Sequence, residues 1–396
     1  MKLARLNKRL ASTAILFLAV APGAVAQGDF TLDLDFAPSA PETIRPPEVP
    51  DSIALTAPAY MNRDWMHLLR HRALNVKDTT VVWPNRFVDF VIRAYNWVDH
   101  TFNSFDPGYV SHTKSGKVRI VYDNWSDLQN FQPVNTMRLV VGSNMYPSIG
   151  LNVSYGIFSI GYTVDLPTLF SPITSSSHKK AEFGINWSRI NAQIHLWDNQ
   201  GDSRVRGVGK FSGIGSINEP YDGMKFRAYN LKAYYIFNHQ RYSHSAAYNS
   251  SRIQKRSAGS WLAGINYYRY NVLFDLDALP ESVKALQTYP WSRYHIKYST
   301  YNVMGGYAFN WVLAKGLLFN STILPGAGLT HTHTESSQGS ELLAAFCGEV
   351  KVSLSYNYKR LFMNLTASAN GNIFLSDNLV FASGIFSTRA SFGLRF

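Results

Sequence analysis

The chain has 396 residues, one cysteine, a formal net charge of +12, 16 % charged residues and 14 % aromatic residues. A single cysteine excludes an internal disulfide framework, and the charged fraction is well below the quarter or so usual in soluble domains. A basic balance can signal nucleic-acid binding; in an exported chain it suits anionic lipid headgroups instead, so no nucleic-acid partner is expected.

The export signal comes first. Lys2, Arg5, Lys8 and Arg9 precede the short apolar run Ala11–Val20, and Ala24-Val25-Ala26 is a small-x-small cleavage site. This is the layout of a secretory signal peptide over 1–26, and its apolar run is too short for a spanning helix. Those four positive charges leave with it, and the mature chain is expected to start at Gln27. Residues 27–60 carry Pro38, Pro41, Pro46, Pro47, Pro50 and Pro58 and read as an extended linker.

Residues 61–106 are expected to form two amphipathic helices on the periplasmic side. In 61–76, Met61, Trp65, Leu68, Leu69 and Val76 recur at helical spacing. The second pattern, 84–104, opens on Pro84 and gathers Phe87, Val88, Val91, Ala94, Tyr95 and Val98 on one face. Such a stripe needs a partner, the barrel mouth or the membrane surface.

From residue 117 the period becomes two. Lys351–Tyr358 alternates strictly, and Leu361–Asn370 follows after only Lys359-Arg360, which marks a tight hairpin. Alternation over nine or more residues is what a tilted strand crossing a bilayer requires. Twelve strands are expected, within a range of 10–14: 117–124, 137–145, 149–155, 157–166, 183–197, 223–238, 258–274, 297–313, 316–329, 343–358, 360–375 and 384–396. The fold class is therefore all-β, a transmembrane antiparallel barrel over 107–396 with the short helical segment before it. The pair at 149–166 reads alternatively as one long strand. The apolar set changes face within 183–197 and near Tyr267-Tyr268, as a β-bulge would cause. Short connections at 314–315 and 359–360 fall inside and long ones at 198–222, 275–296 and 330–342 outside, but the long 239–257 segment falls inside, against the rule.

The last strand carries Phe386, Ala390, Phe392, Leu394 and Phe396 at alternate positions. It resembles the C-terminal signal by which outer-membrane proteins are recognised for insertion, which implies the barrel-assembly machinery as a partner and the bacterial outer membrane as the location. A wider resemblance rests on Trp83-Pro84 with Phe87, Tyr95-Asn96-Trp97, Phe102-Asn103, Asp123-Asn124-Trp125, and Asp222-Gly223 with Lys225. It continues through Ala233–Asn238, Tyr242-Ser243, Ala246-Ala247-Tyr248 and Gln254–Ser260. Together these are similar to uncharacterised outer-membrane proteins of Bacteroidetes, grouped as the domain of unknown function numbered four-four-two-one. The resemblance implies location and architecture, and no catalytic or binding residue.

Three constellations stand out. His244 lies between Ser243 and Ser245, which resembles the outer-membrane phospholipase; on a strand, though, neighbouring side chains point to opposite faces, so neither serine is easily activated. Arg241, Arg252, Lys255 and Arg256 form a basic cluster suited to phosphates or headgroups. His331 and His333, with Glu335, place two imidazoles on one side of an extended segment, short of a closed metal sphere. Cys347 is expected to be a buried small side chain. No phosphate-cradling loop, dinucleotide fingerprint or zinc spacing is present, so no cofactor is expected. The leading expectation is a non-enzymatic barrel, a narrow pore or a structural, envelope-binding protein with outer-membrane lipids around it. The alternatives are a lipid-acting hydrolase and an assembly factor that docks a periplasmic protein through the helices.

Overall fold

The computed structural model describes residues 63–70, 74, 78, 80–113, 116–133, 137–166, 177–209, 217–286, 292–333, 342–375 and 379–396. The expected signal peptide and linker, and Glu335, lie outside these residues. Two compact units make up the chain, one up to Ala94 and one from Tyr95 to Phe396. In the first, helix α1 (Trp65–Arg70) starts on Asp64, whose carboxylate accepts the Met66 N–H at 2.9 Å. Helix α2 (Arg86–Phe102) starts on Asn85, whose Oδ1 accepts the Val88 N–H at 2.8 Å; side-chain caps of this kind satisfy otherwise orphaned donors. On α2, Phe87, Phe90 and Trp97 are exposed.

The second unit holds the strands β1 (Val110–His112), β2 (Gly116–Pro133), β3 (Leu139–Ser143), β4 (Tyr146–Tyr155), β5 (Phe158–Asp165), β6 (Ser177–Asn186), β7 (Ile190–Gln200), β8 (Ser203–Val208), β9 (Glu219–Tyr221), β10 (Met224–Ile236), β11 (Arg252–Gln254), β12 (Ala258–Asp275), β13 (Arg293–Ala314), β14 (Leu317–Thr332), β15 (Leu342–Tyr358), β16 (Leu361–Leu375) and β17 (Leu379–Arg395). Twelve of them, β2, β4 to β7, β10 and β12 to β17, form an antiparallel wall in chain order, and β17 closes on β2. Closure leaves the twelve-strand wall without an unpaired edge. At the seam, the Phe396 N–H donates to the Gly116 carbonyl at 3.0 Å.

The expected count of twelve is present, but two assignments behind it are corrected. Residues 137–145 are not a wall strand: β3 pairs only with Leu128–Phe131 of β2 and with β8. Residues 183–197 are not one bulged strand: β6 and β7 are separate and reverse at Trp187–Arg189, where the Trp187 N–H donates to the Ile190 carbonyl at 3.0 Å. The pair at 149–166 is likewise a hairpin, with Gly156 at φ +58° in its turn. Short turns at 156–157, 187–189, 315–316 and 359–360 define one end, here the turn end; the opposite is the loop end.

The outer face is apolar through the middle of the wall. Ile120, Leu151, Ile160, Ile265, Val303 and Leu365 are each more than half exposed. Tyr155, Trp261 and Tyr358 stand exposed nearer the turn end, and Tyr162, Tyr229 and Tyr301 nearer the loop end. A continuous belt of this size is at home in lipid and a liability in water.

The bulge expected near Tyr267-Tyr268 is absent, since β12 keeps unbroken register with β10 and β13. The environment changes instead. Towards the loop end the wall rises past the apolar belt, so Arg269 and Asn271 face out while Tyr268, Tyr270, Val272 and Phe274 face in. Alternation continues unchanged, but the polar and apolar sides trade places as the outside turns from lipid to water.

Candidate functional site

Polar, charged and loop residues converge in the lumen, which has three layers. The loop-end layer is an aromatic core. Phe131 stacks on Phe274 with centroids 4.9 Å apart, Tyr270 on Tyr298 at 4.8 Å, and Phe374 meets Tyr298 edge-on at 4.9 Å. Leu139 and Val141 of β3, Val205 of β8 and Tyr221 of β9 extend it, and Leu276, Leu279 and Val283 cover it. Leu276 lies in the 3-10 turn Leu276–Ala278, Leu279 caps that turn, and Val283 lies in the short helix Glu281–Lys284. All these side chains are buried. The lumen is therefore apolar at this end.

The middle layer is a charged girdle. Asp123 of β2 accepts from Lys180 of β6 and Arg389 of β17, each at 2.8 Å. Arg389 also reaches Glu182 at 2.8 Å, and Glu182 faces Arg119 at 3.9 Å. Across the lumen, Glu349 of β15 pairs with Lys232 at 2.9 Å and Lys351 at 2.5 Å. Each carboxylate thus serves at least two cations, as buried charges must be paired to persist. None of these was singled out from the sequence. The available signal was an acid or base at an inward-pointing, mid-strand position, where small polar residues otherwise recur.

The turn-end layer is the 239–257 segment, which folds back into the barrel. Helix α3 (His244–Tyr248) starts on Ser243, whose Oγ accepts the Ala246 N–H at 3.2 Å. Its small residues Ser245, Ala246 and Ala247 are buried against the wall. Carbonyls along 246–251 are met one after another. Ser355 donates to Ala246 O at 3.3 Å, and Ser353 and Asn364 donate to Ala247 O at 3.0 and 2.6 Å. Arg119 donates to Tyr248 O at 3.3 Å, Lys117 to Asn249 O at 3.0 Å, Arg395 to Ser250 O at 3.0 Å and Thr113 to Ser251 O at 2.8 Å. Cations at the C-terminal end of a helix also oppose its negative dipole pole. Gln254 Oε1 accepts from Ser243 N–H and Asn310, both at 3.0 Å, and its amide donates to the Arg241 and Arg256 carbonyls. This segment is a latched plug, which accounts for the long connection on the short-turn side.

The sequence candidates take these places. His244 is buried in the plug, with Nδ1 3.1 Å from Tyr242 Oη and its ring against Tyr234 and Tyr248. Ser243 is committed to capping α3, so the structure does not assemble a Ser–His pair from these neighbours. Arg241 and Arg256 lie over the Tyr109 ring at 5.2 and 5.7 Å, and Arg252 over Phe105 at 5.4 Å. Lys255 donates to Pro107 O at 2.9 Å. The basic cluster is thus brought together around the 105–112 segment, where β1 pairs with β11, at the rim of the turn end. His331 Nδ1 and His333 Nε2 are 3.0 Å apart at the loop end. Among the described residues no group of three or more His, Cys, Asp or Glu is placed to hold a metal. Cys347 is buried, as expected, and it faces the lumen.

Burial holds the His244 imidazole neutral, its pKa lowered to about 3, whereas a freed histidine titrates near ~6.5. Above that value neither the seated nor the released plug binds the proton; below it only the released plug does, until about 3. Seating therefore weakens as pH falls through this window. Hydrogen exchange is expected to show protection of residues 242–251 falling between about pH 7 and about pH 4, with wall amides unchanged. His244→Phe should flatten that dependence; an equal pH response in the variant would rule His244 out as its source.

A family model described as Domain of unknown function (DUF4421) matches residues 105–396. Among solved structures, the chain is similar to the outer membrane protease OmpT from Escherichia coli, at 10 % identity and TM-score 0.33, covering 74 % of this chain and 98 % of that one. It is similar to the translocator domain of the autotransporter NalP from Neisseria meningitidis, at 11 % identity and TM-score 0.28, covering 78 % and 96 %. It is also similar to an outer membrane channel from Pseudomonas putida F1, at 10 % identity and TM-score 0.27, covering 74 % and 100 %. No curated protein matches the sequence. Identities this low bring no residue role with them.

Proposed function

We propose a role for the barrel from one premise: the chain belongs to the family described as Domain of unknown function (DUF4421). It is an outer-membrane barrel that rests closed and serves as a structural, envelope-binding element rather than as an open pore. The single observation behind this is the double filling of the lumen, by the aromatic core at one end and the latched plug at the other. The even strand number, the apolar belt and the export signal favour the outer membrane over other sites. On the same topology the turn end faces the periplasm.

What that end offers is positive charge. Arg241, Lys255 and Arg256 are exposed on a rim held by Tyr109 and Phe105. Cations fixed on aromatic rings remain displayed for anionic partners, here a polymer of the cell envelope carrying carboxylates or phosphates. The folded protein in a neutral detergent should co-sediment with isolated peptidoglycan sacculi. Arg241→Gln with Arg256→Gln should weaken that binding about tenfold or more, because each basic group near an anionic surface contributes about 1 kcal/mol. Sacculi that leave the wild type in the supernatant at low salt would remove the envelope-binding part of the proposal.

A further inference from the structure

Between the plug and the charged girdle a cavity of about 100 Å³ remains. Its wall includes Arg119, Lys180, Lys351 and Arg389, with Glu182 and Ser368. A single water needs only ~10–15 Å³ by the same kind of measure, so the space is large for its depth. The charges around it do not balance. The five cations Arg119, Lys180, Lys232, Lys351 and Arg389 share the three carboxylates Asp123, Glu182 and Glu349. Arg119 is the least well paired: 3.9 Å separates it from Glu182, and its Nε is buried without a partner among the described residues. Surplus buried charge is costly unless something neutralises it.

We propose that this cavity binds one free inorganic oxyanion of the phosphate or sulfate class. A doubly charged tetrahedral anion matches the surplus of two positive charges, and guanidinium groups present donors in the geometry such oxygens accept. Ser368 is directly opposite both Lys351 and Ser387 across its neighbouring strands and supplies a hydroxyl to the same space. The wall is hydrogen-bonded all the way round and the plug covers the turn side, so a lipid headgroup cannot enter with its chains attached. The anion would sit directly beneath Tyr248 and Asn249 of the plug.

The test is equilibrium dialysis of radiolabelled inorganic phosphate against the folded full chain in neutral detergent. Saturable binding of one phosphate per chain is expected, displaced by sulfate and not by glycerol phosphate. Ser368→Asp, which places a fixed negative charge in the cavity, should lower phosphate affinity at least about tenfold and raise the unfolding temperature in anion-free buffer. Ser368→Asn, neutral and isosteric with aspartate, should lose less phosphate affinity than Ser368→Asp, which separates the effect of the added charge from that of the lost hydroxyl. Absence of saturable binding by the wild type would overturn the proposal. So would a Ser368→Asp variant that binds normally or unfolds at a lower temperature, since the cavity would then carry no surplus charge. Competition by glycerol phosphate would overturn the assignment to a free ion.

Discussion

Asp123→Asn is expected to destabilise the barrel by about 3–5 kcal/mol, the cost of leaving buried charges unpaired. Asp123 is fully buried and its carboxylate takes Lys180 and Arg389 at 2.8 Å, with Ser387 Oγ donating to the other oxygen at 2.8 Å. The amide keeps the shape and removes the charge, in a layer where cations already outnumber acids. Lys180→Met in the same chain should recover part of the loss, because it removes one of the stranded charges. By contrast Glu281→Gln, which breaks the exposed pair with Lys284, should cost less than about 1 kcal/mol. Urea unfolding of the detergent-folded protein, followed by tryptophan fluorescence, measures all three. Equal midpoints for Asp123→Asn and the wild type would mean the girdle does not hold the wall together.

The second large effect is expected at Ala247. This residue is fully buried, and its carbonyl is held by Ser353 and Asn364. No ring fits there, and overpacking a filled site typically costs about 1–3 kcal/mol or more. The plug lies off the wall, so Ala247→Phe should relieve the clash by releasing the plug and leaving the barrel closed. Trypsin cleavage after Arg252, in β11 and half-buried against β1, should then accelerate about tenfold or more, because cleavage follows the population of the open form. Migration on gels should remain heat-modifiable. If Ala247→Phe instead abolished folding, the plug would be part of the folding core rather than a latched insert.

The wall was legible in the sequence because each strand must face lipid on one side, which enforces alternation. The errors fall where that constraint lapses. The reversal at Trp187-Ser188-Arg189 contains no Gly, Pro or Asn, so β6 and β7 run together when only side-chain period is followed. Residues 137–145 are apolar because they extend the loop-end core, not because they cross a bilayer. Near Tyr267-Tyr268 the register is continuous, and the solvent outside changes instead. The plug was visible only as a long segment on the wrong side. Its Ser, Ala and Asn residues have no period, since they were selected to fit a lumen assembled from residues 117 to 395. His244 drew attention as a potential base, yet its place is among Tyr234, Tyr242 and Tyr248. The girdle was missed because its ion pairs join strands far apart in sequence, such as Lys232 with Glu349 and Asp123 with Arg389.

The measurement closest to the central claim is single-channel conductance of residues 27–396 refolded and inserted into a planar bilayer. Insertion would be verified by heat-modifiable migration and by protection of the wall from protease. With the aromatic core and the plug both in place, no discrete current steps are expected, and Ala247→Phe should remain silent too because Tyr298 and its neighbours still fill the loop end. Discrete, salt-dependent steps from the wild type would contradict the account and make the barrel an open pore.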